Sequence, residues 1–369
     1  MRVVSKMIVA NVLHRPIRTI VSILAVAIEV GMVLLVVGMT NGMLHEGAKR
    51  VEGVGADVMV QPPGASFFLG LTVAPMPIKL ADRLQEVPHV QAVAPVLLHF
   101  NTTNGLNLMY GIDMASFDSV SGGFVYYEGG PLQHPDDILV DDWYAKANKN
   151  KLGQTLNLIN HDFHVAGIVE HGKGARIFIP IQTMQTLMGA HDKASIFFVK
   201  CTDPGYTDDV VDSFESLLPK YQIMPVRQYM SMMTSNSLPA LTDFVRAMIC
   251  VAVGIGFLVI FLGMYTTITE RTREIGILKS LGASKTYIVQ AILEEAALLG
   301  GVGIVAGCIG TILARRLVMI YFPTISVDPL DGAWVLRATL LAIGGTLVGA
   351  FYPALRAAQL DPVDALAYE

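Results

Sequence analysis

The arrangement of long apolar runs limits what this chain can fold into more than any other feature of it. Crossing roughly 30 Å of hydrocarbon takes about twenty helical residues. Four runs reach that length: Ile20 to Met39, Met248 to Thr267, about Ile288 to Leu313, and Trp334 to Phe351. Between the first and second lies a long polar, mixed interval from Asn41 to about Thr242. With 53% hydrophobic residues, 15% charged residues and a mean hydropathy of +0.52, the chain is too apolar for a soluble protein of its length. The expected architecture is an α-helical membrane protein with four transmembrane helices and a large mixed α/β extracytoplasmic domain inserted between the first and second. A net charge of -5, with no basic stripe and no aromatic-basic interleaving, argues against nucleic acid as a partner.

Residues 1–19 mix Arg2, Lys6, His14, Arg15 and Arg18 with Val3, Val4, Met7, Ile8 and Leu13, as in an amphipathic helix leading into a first span at 20–40. That apolar run exceeds the roughly 7–15 residues of a signal peptide and no small-residue cleavage site follows, so it reads as a retained span. Within 41–242, strand-like runs occur at Ala56–Gln61, Val90–Phe100, Leu106–Asp113, Asp137–Val140, Thr155–Glu170, Arg176–Pro180 and Ser195–Cys201. Helical candidates alternate with them at Ile78–Glu86, Gln182–Met188, Asp208–Leu218 and Gln228–Ser235. Such a domain is large enough to bury a core of its own.

The later spans are placed at 243–267, 288–314 and 334–352, with a loop at 315–333 and a tail at 353–369. Lys and Arg beside the spans set the orientation. Arg2, Lys6, Arg15 and Arg18 precede the first span, while Arg271, Arg273, Lys279 and Lys285 fill the interval between the second and third. These segments and both termini are therefore expected in the cytoplasm. Arg315, Arg316 and Arg337 oppose the rule but are fewer.

Glu29 stands near the middle of the first span, where an ionisable group is costly and usually faces a bundle interior or a cavity. It divides evenly between a structural hydrogen bond to another span and a role in substrate handling or coupling. Gly303-Ile-Val-Ala-Gly307 is a small-xxx-small motif suited to close helix packing. Cys201, Cys250 and Cys308 read as small apolar filler. His161, His164 and His171 tempt a metal assignment, but His161 and His164 would point to opposite faces of a strand, so no metal is expected. Two adjacent phenylalanines in Gln61 to Gly70 suggest either a mobile apolar loop or, as the preferred reading, a loop folded onto its own domain.

The densest charge between apolar runs lies in Thr267 to Ser284. At about 100° per residue, Glu270 and Glu274 share a helical face with Ile277, Leu278 and Leu281, and Arg271 and Lys279 turn away from it. Carboxylates set into an aliphatic stripe suit a protein partner better than a lipid surface, which favours segregated Lys and Arg. The run Glu270-Arg-Thr-Arg-Glu-Ile-Gly-Ile-Leu-Lys-Ser-Leu-Gly-Ala-Ser284 resembles the signature of the FtsX-like permeases, the membrane subunits of MacB-type ABC transporters. Tyr352 to Leu366, with its Pro just after the span, its small-residue helix and its Asp-Pro, is similar to that family's C-terminal pattern. Asn11 to Thr19 is similar to its N-terminal helix.

The resemblance implies that residues 268–287 form a cytoplasmic coupling helix seated on an ATPase. Glu270 and Glu274 would then meet basic groups, Ile275, Leu278 and Leu281 would be apolar contacts, and Gly276 and Gly282 would allow close approach and the turn. Arg271, Arg273, Lys279, Ala283 and Ser284 complete the expected coupling site. The chain has no G-x-x-x-x-G-K-[ST] phosphate loop, so ATP and Mg are expected on a partner. The implied partners are a cytoplasmic ABC ATPase dimer, a second permease copy or paralogue, a periplasmic adaptor or substrate-carrier protein, and membrane lipid. The leading expectation is a non-catalytic permease subunit in a bacterial inner membrane, exporting or extracting a lipid, lipoprotein or other amphiphile. Two alternatives stay open: a signalling or hydrolase-activating device of the same build, and a receptor or scaffold without an ATPase.

Overall fold

The computed structural model describes residues 16–64, 75–101, 107–233, 239–322 and 324–361. In chain order they form α1 (Pro16–Glu52), β1 (Val58–Gln61), β2 (Met76–Pro77), α2 (Leu80–Gln85), β3 (Val90–Asn101), β4 (Asn107–Ile112), α3 (Met114–Ser121) and β5 (Tyr126–Gly129). Then follow β6 (Asp137–Asp141), α4 (Asp142–Asn148), β7 (Thr155–Leu158), β8 (His161–Val169), β9 (Ile177–Pro180), α5 (Ile181–Met188), β10 (Lys193–Ala194) and β11 (Ile196–Cys201). The last elements are α6 (Thr207–Leu217), β12 (Gln222–Pro225), α7 (Val226–Met232), α8 (Pro239–Glu270), α9 (Thr272–Ser280), α10 (Lys285–Tyr321) and α11 (Gly332–Gln359). They divide into two compact units, one of residues 1–42, 238–320 and 327–369, the other of 43–237 and 321–326.

Among the described residues four helices are long and apolar enough to cross a membrane, Thr19–Glu52, Leu241–Glu270, Lys285–Tyr321 and Gly332–Gln359, and they make up most of the helical unit. A helix satisfies its backbone within itself, as a lipid surrounding demands. The shared core joins Val26, Val30 and Val33 of α1 to Ala252 and Ile260 of α8, Ala296 and Leu299 of α10, and Ala338 and Ala342 of α11. Glycine lets the helices touch. A Cβ at Gly303 would lie 2.6 Å from Val26 Cβ, and one at Gly307 would lie 2.8 Å from the Ala27 carbonyl oxygen. The small-xxx-small motif therefore packs α10 onto α1 of the same chain. All four helices outrun their expected ends: α1 continues to Glu52, α8 to Glu270, α10 to Tyr321 through residues expected to be loop, and α11 through Pro353 to Gln359 into residues expected to be tail.

The inserted unit is built on a mixed sheet of order β12-β1-β11-β3-β4-β9-β6-β8-β5, with β7 on β8 and a separate β10-β2 pair. β4 with β9 and β6 with β8 are parallel and the other pairs antiparallel. Period-two alternation sends Leu139, Phe178, Ile196 and Phe198 into one core. Their neighbours Val140, Ile177 and Ile179 enter a second, and Phe197 and Val199 a third.

The expected strand Thr155–Glu170 is instead the β7-β8 hairpin. Ile159 and Asn160 both take positive φ (54° and 55°), the turn that matches strand twist. Expectation missed α3 and α4, which begin on Asp113 and Asp141 side chains accepting from Ser116 N and Tyr144 N. It also missed β5 and β12. The last residues of the expected helix Gln228–Ser235, the phenylalanines of the Gln61 loop, the helix before Arg15 and the final Asp-Pro fall partly or wholly outside the described residues.

Candidate functional site

The segment between α8 and α10 is a short helix with defined ends. Arg271 leaves helical geometry (φ -106°, ψ 15°), which separates α9 from α8. At the other end Gly282 adopts φ +96° and Ala283 N donates to the Leu278 carbonyl at 3.0 Å, the six-to-one bond of a Schellman stop. Ser284 Oγ then accepts from Tyr287 N at 3.2 Å and starts α10. Gly282 and Ser284 thus turn the chain between two helices.

The inward face of α9 holds it to its own bundle. Ile275 is buried with Ile268, Ile288, Ala357 and Ala358, and Ala283 packs against them. This corrects the expectation that Ile275 is an apolar contact for an ATPase. Gly276 and Thr272 are buried beside it. Arg271 Nε donates to Glu274 Oε2 at 2.8 Å, and Arg271 Nη1 reaches Glu295 Oε2 at 3.4 Å. Lys279 Nζ donates to the carbonyls of Ala358 (3.1 Å) and Leu360, which ties α9 to the end of α11. Leu278 is half-buried and lines a cleft with Met264, Thr267, Tyr287 and Ala291.

The outward face is the one left over. Leu281 is 79% exposed and Ile277 44%, one helical turn apart, and Glu270, Arg273, Glu274, Gly282 and Ser284 around them are exposed. Two bare aliphatic side chains ringed by charges of both signs form a small contact surface for a protein. Sequence reasoning placed Glu295 at the membrane interface and did not foresee its pairing with Arg271. Its bond to Arg271 joins positions 24 apart, and no local pattern signals that pairing.

Glu29 lies inside the helical unit, 5% exposed, and its Oε1 has no hydrogen-bond partner. Its other oxygen is set against Gly256 of α8, where a Cβ would come within 1.8 Å of it, and Gly345 of α11 borders Oε1. The three histidines are engaged separately, His161 with Asp136 (2.7 Å), His164 with Thr155 (3.1 Å) and His171 with Asp142 (2.8 Å). Among the described residues no group of three or more His, Cys, Asp or Glu is placed to hold a metal ion.

The family model described as MacB-like periplasmic core domain matches residues 19–217, and that described as FtsX-like permease C-terminal matches 246–362. The "Macrolide export ATP-binding/permease protein MacB" of Hyphomonas neptunium is 27% identical over 396 residues, covering 95% of this chain and 58% of the relative. Its namesake in Sodalis glossinidius is 28% identical over 397 residues, covering 96% of this chain and 59% of the relative. The chain therefore spans under two thirds of the length of these relatives. Among solved structures, the periplasmic region of MacB from Actinobacillus actinomycetemcomitans aligns with 50% of this chain and 95% of its own, at 20% identity and a TM-score of 0.38.

Proposed function

The chain belongs to the MacB-like, FtsX-like family of ABC-transporter permeases, and from that membership we propose that it is a permease subunit driven by a partner ATPase docked on the outward face of α9. ATP and Mg are held by the ATPase, and this chain supplies the docking helix, the spans and the domain that moves. The chain sits in the bacterial inner membrane with both termini and α9 in the cytoplasm and the inserted domain outside. A second permease copy or paralogue completes the membrane part. The work delivered is the export or extraction of an amphiphile, a lipid or lipoprotein, handed to a periplasmic adaptor or carrier.

One observation carries the reading. The inward face of α9 is locked to α8, α10 and α11 by Ile275, Arg271 and Lys279, while Ile277 and Leu281 are left bare. A helix bound rigidly on one side and uncovered on the other transmits a push as a rigid body. The test is co-purification with the ATPase, repeated with Glu270→Lys and Glu274→Lys together. Loss of the ATPase or of its stimulated turnover is expected. Normal pull-down with normal turnover would remove the docking role. Mass spectrometry of co-eluting lipids and proteins identifies the cargo.

A further inference from the structure

The connection between β8 and β9, Glu170 to Arg176, is bound to more parts of the inserted unit than its length requires. On one side Gly174 N donates to the Arg50 carbonyl at 2.7 Å, near the end of α1. The backbones meet there without side chains, since a Cβ at Gly53 would lie 2.0 Å from the Gly172 carbonyl oxygen. Arg176 Nη2 donates to the Thr324 carbonyl at 3.2 Å, and Thr324 belongs to the segment that joins α10 to α11. Residues 321–326 cluster with the inserted unit.

On the other side the same seven residues grip the sheet and its helices. Arg176 N donates to the Leu108 carbonyl of β4 (3.2 Å), and Asp141 N of β6 donates to the Arg176 carbonyl (2.8 Å). Arg176 Nη1 donates to Asp141 Oδ2 at 2.9 Å, with the two side chains 5% and 1% exposed. The guanidinium lies over the Trp143 ring, 5.2 Å from its centroid, and the His171 ring also stacks on Trp143, with centroids 4.3 Å apart. Lys173 Nζ donates to the Ser121 carbonyl at the end of α3 (2.6 Å).

We propose that this loop is the joint through which movement of α1 and of the α10-α11 connection enters the sheet, with Arg176 as its principal positioning residue. The inference rests on the coupling reading above and gives it a place. Arg176 is suited to the part because a planar guanidinium bonds Asp141 and Thr324 at once with little rotational slack, which a lysine ammonium does not reproduce. Motion of either attachment is passed to β6 and β9, which lie side by side in the sheet.

The test uses the full chain with its ATPase in nanodiscs, and reads hydrogen-deuterium exchange in peptides from β6 and β9 with and without ATP. The wild type is expected to change protection there on ATP addition. Arg176→Lys and the milder Lys173→Met are each expected to lose most of that change while ATPase pull-down and turnover stay within about twofold of wild type. Survival of the full ATP-dependent change in both variants would overturn the joint alone. No change in the wild type would overturn the coupling reading, and the joint with it.

Discussion

Adding a methyl group at Gly256 tests the packing around Glu29 directly. The built Cβ falls 1.8 Å from Glu29 Oε2 and 2.6 Å from Cδ, so reaching an ordinary contact near 3.4 Å requires a retreat of about 1.6 Å. A flexible carboxyl in open space would swing aside at little cost. This one is 5% exposed and closed in by α8 and α11, so the displacement is felt as overpacking, worth about 1–3 kcal/mol. Alanine also favours a helix over glycine by roughly 0.5–1 kcal/mol, which masks part of that in the single variant. A double-mutant cycle removes the masking, because the helix preference is the same with either residue at position 29. Gly256→Ala in a Glu29→Ala background is therefore expected to be better tolerated, with a coupling energy of about 1–3 kcal/mol. Glu29→Gln, nearly the same shape, should not relieve the clash. The assay is equilibrium unfolding in mixed detergent and SDS micelles, followed by circular dichroism. Effects that add to within about 0.5 kcal/mol would refute the close fit of Glu29 against Gly256.

Three further outcomes are expected. Leu281→Asp should change thermal stability by no more than about 0.5 kcal/mol, because the side chain is 79% exposed, yet weaken ATPase capture; retained capture would place docking elsewhere. Gly307→Leu should destabilise by about 1–3 kcal/mol because the Ala27 backbone cannot yield, whereas Gly310→Leu, with open space around it, should be nearly neutral in the same unfolding assay. Burial pushes the Tyr229 hydroxyl up from 10.0 to about 12, against the nearby Arg50 charge, and Tyr110 is raised further by burial. A folded-state value above the unfolded one means this contribution is complete below pH 10 and is lost as pH rises toward 12. Ultraviolet titration should show a late phase above pH 10 that Tyr229→Phe and Tyr110→Phe each diminish; a late phase unchanged by both, with the fold intact, would contradict it.

Length and hydropathy were enough to place four spans and an inserted mixed domain, because a lipid surrounding leaves a long apolar segment little choice but helix. The charge pattern between α8 and α10 was legible in part: of the expected face, Glu270, Glu274, Ile277 and Leu281 are exposed, Leu278 is half-buried in a cleft, and Gly282 is the turn. Strand runs were visible by alternation, but the break at Ile159 and Asn160 was not, since a turn made by non-glycine residues at positive φ carries a weak signature.

What the sequence determined by itself was local. It decided which segments are helices across a membrane, which alternate as strands, and which stretch concentrates charge between spans. Only the tertiary structure decided that Ile275 turns inward, that Arg271 meets Glu295, that Gly256 makes room for Glu29, and that Arg176 joins Asp141 to Thr324. Periodicity and propensity act over a few residues, whereas the contacts of Arg271, Arg176 and Glu29 join positions 24 to more than 200 apart, which neighbours in the chain cannot specify.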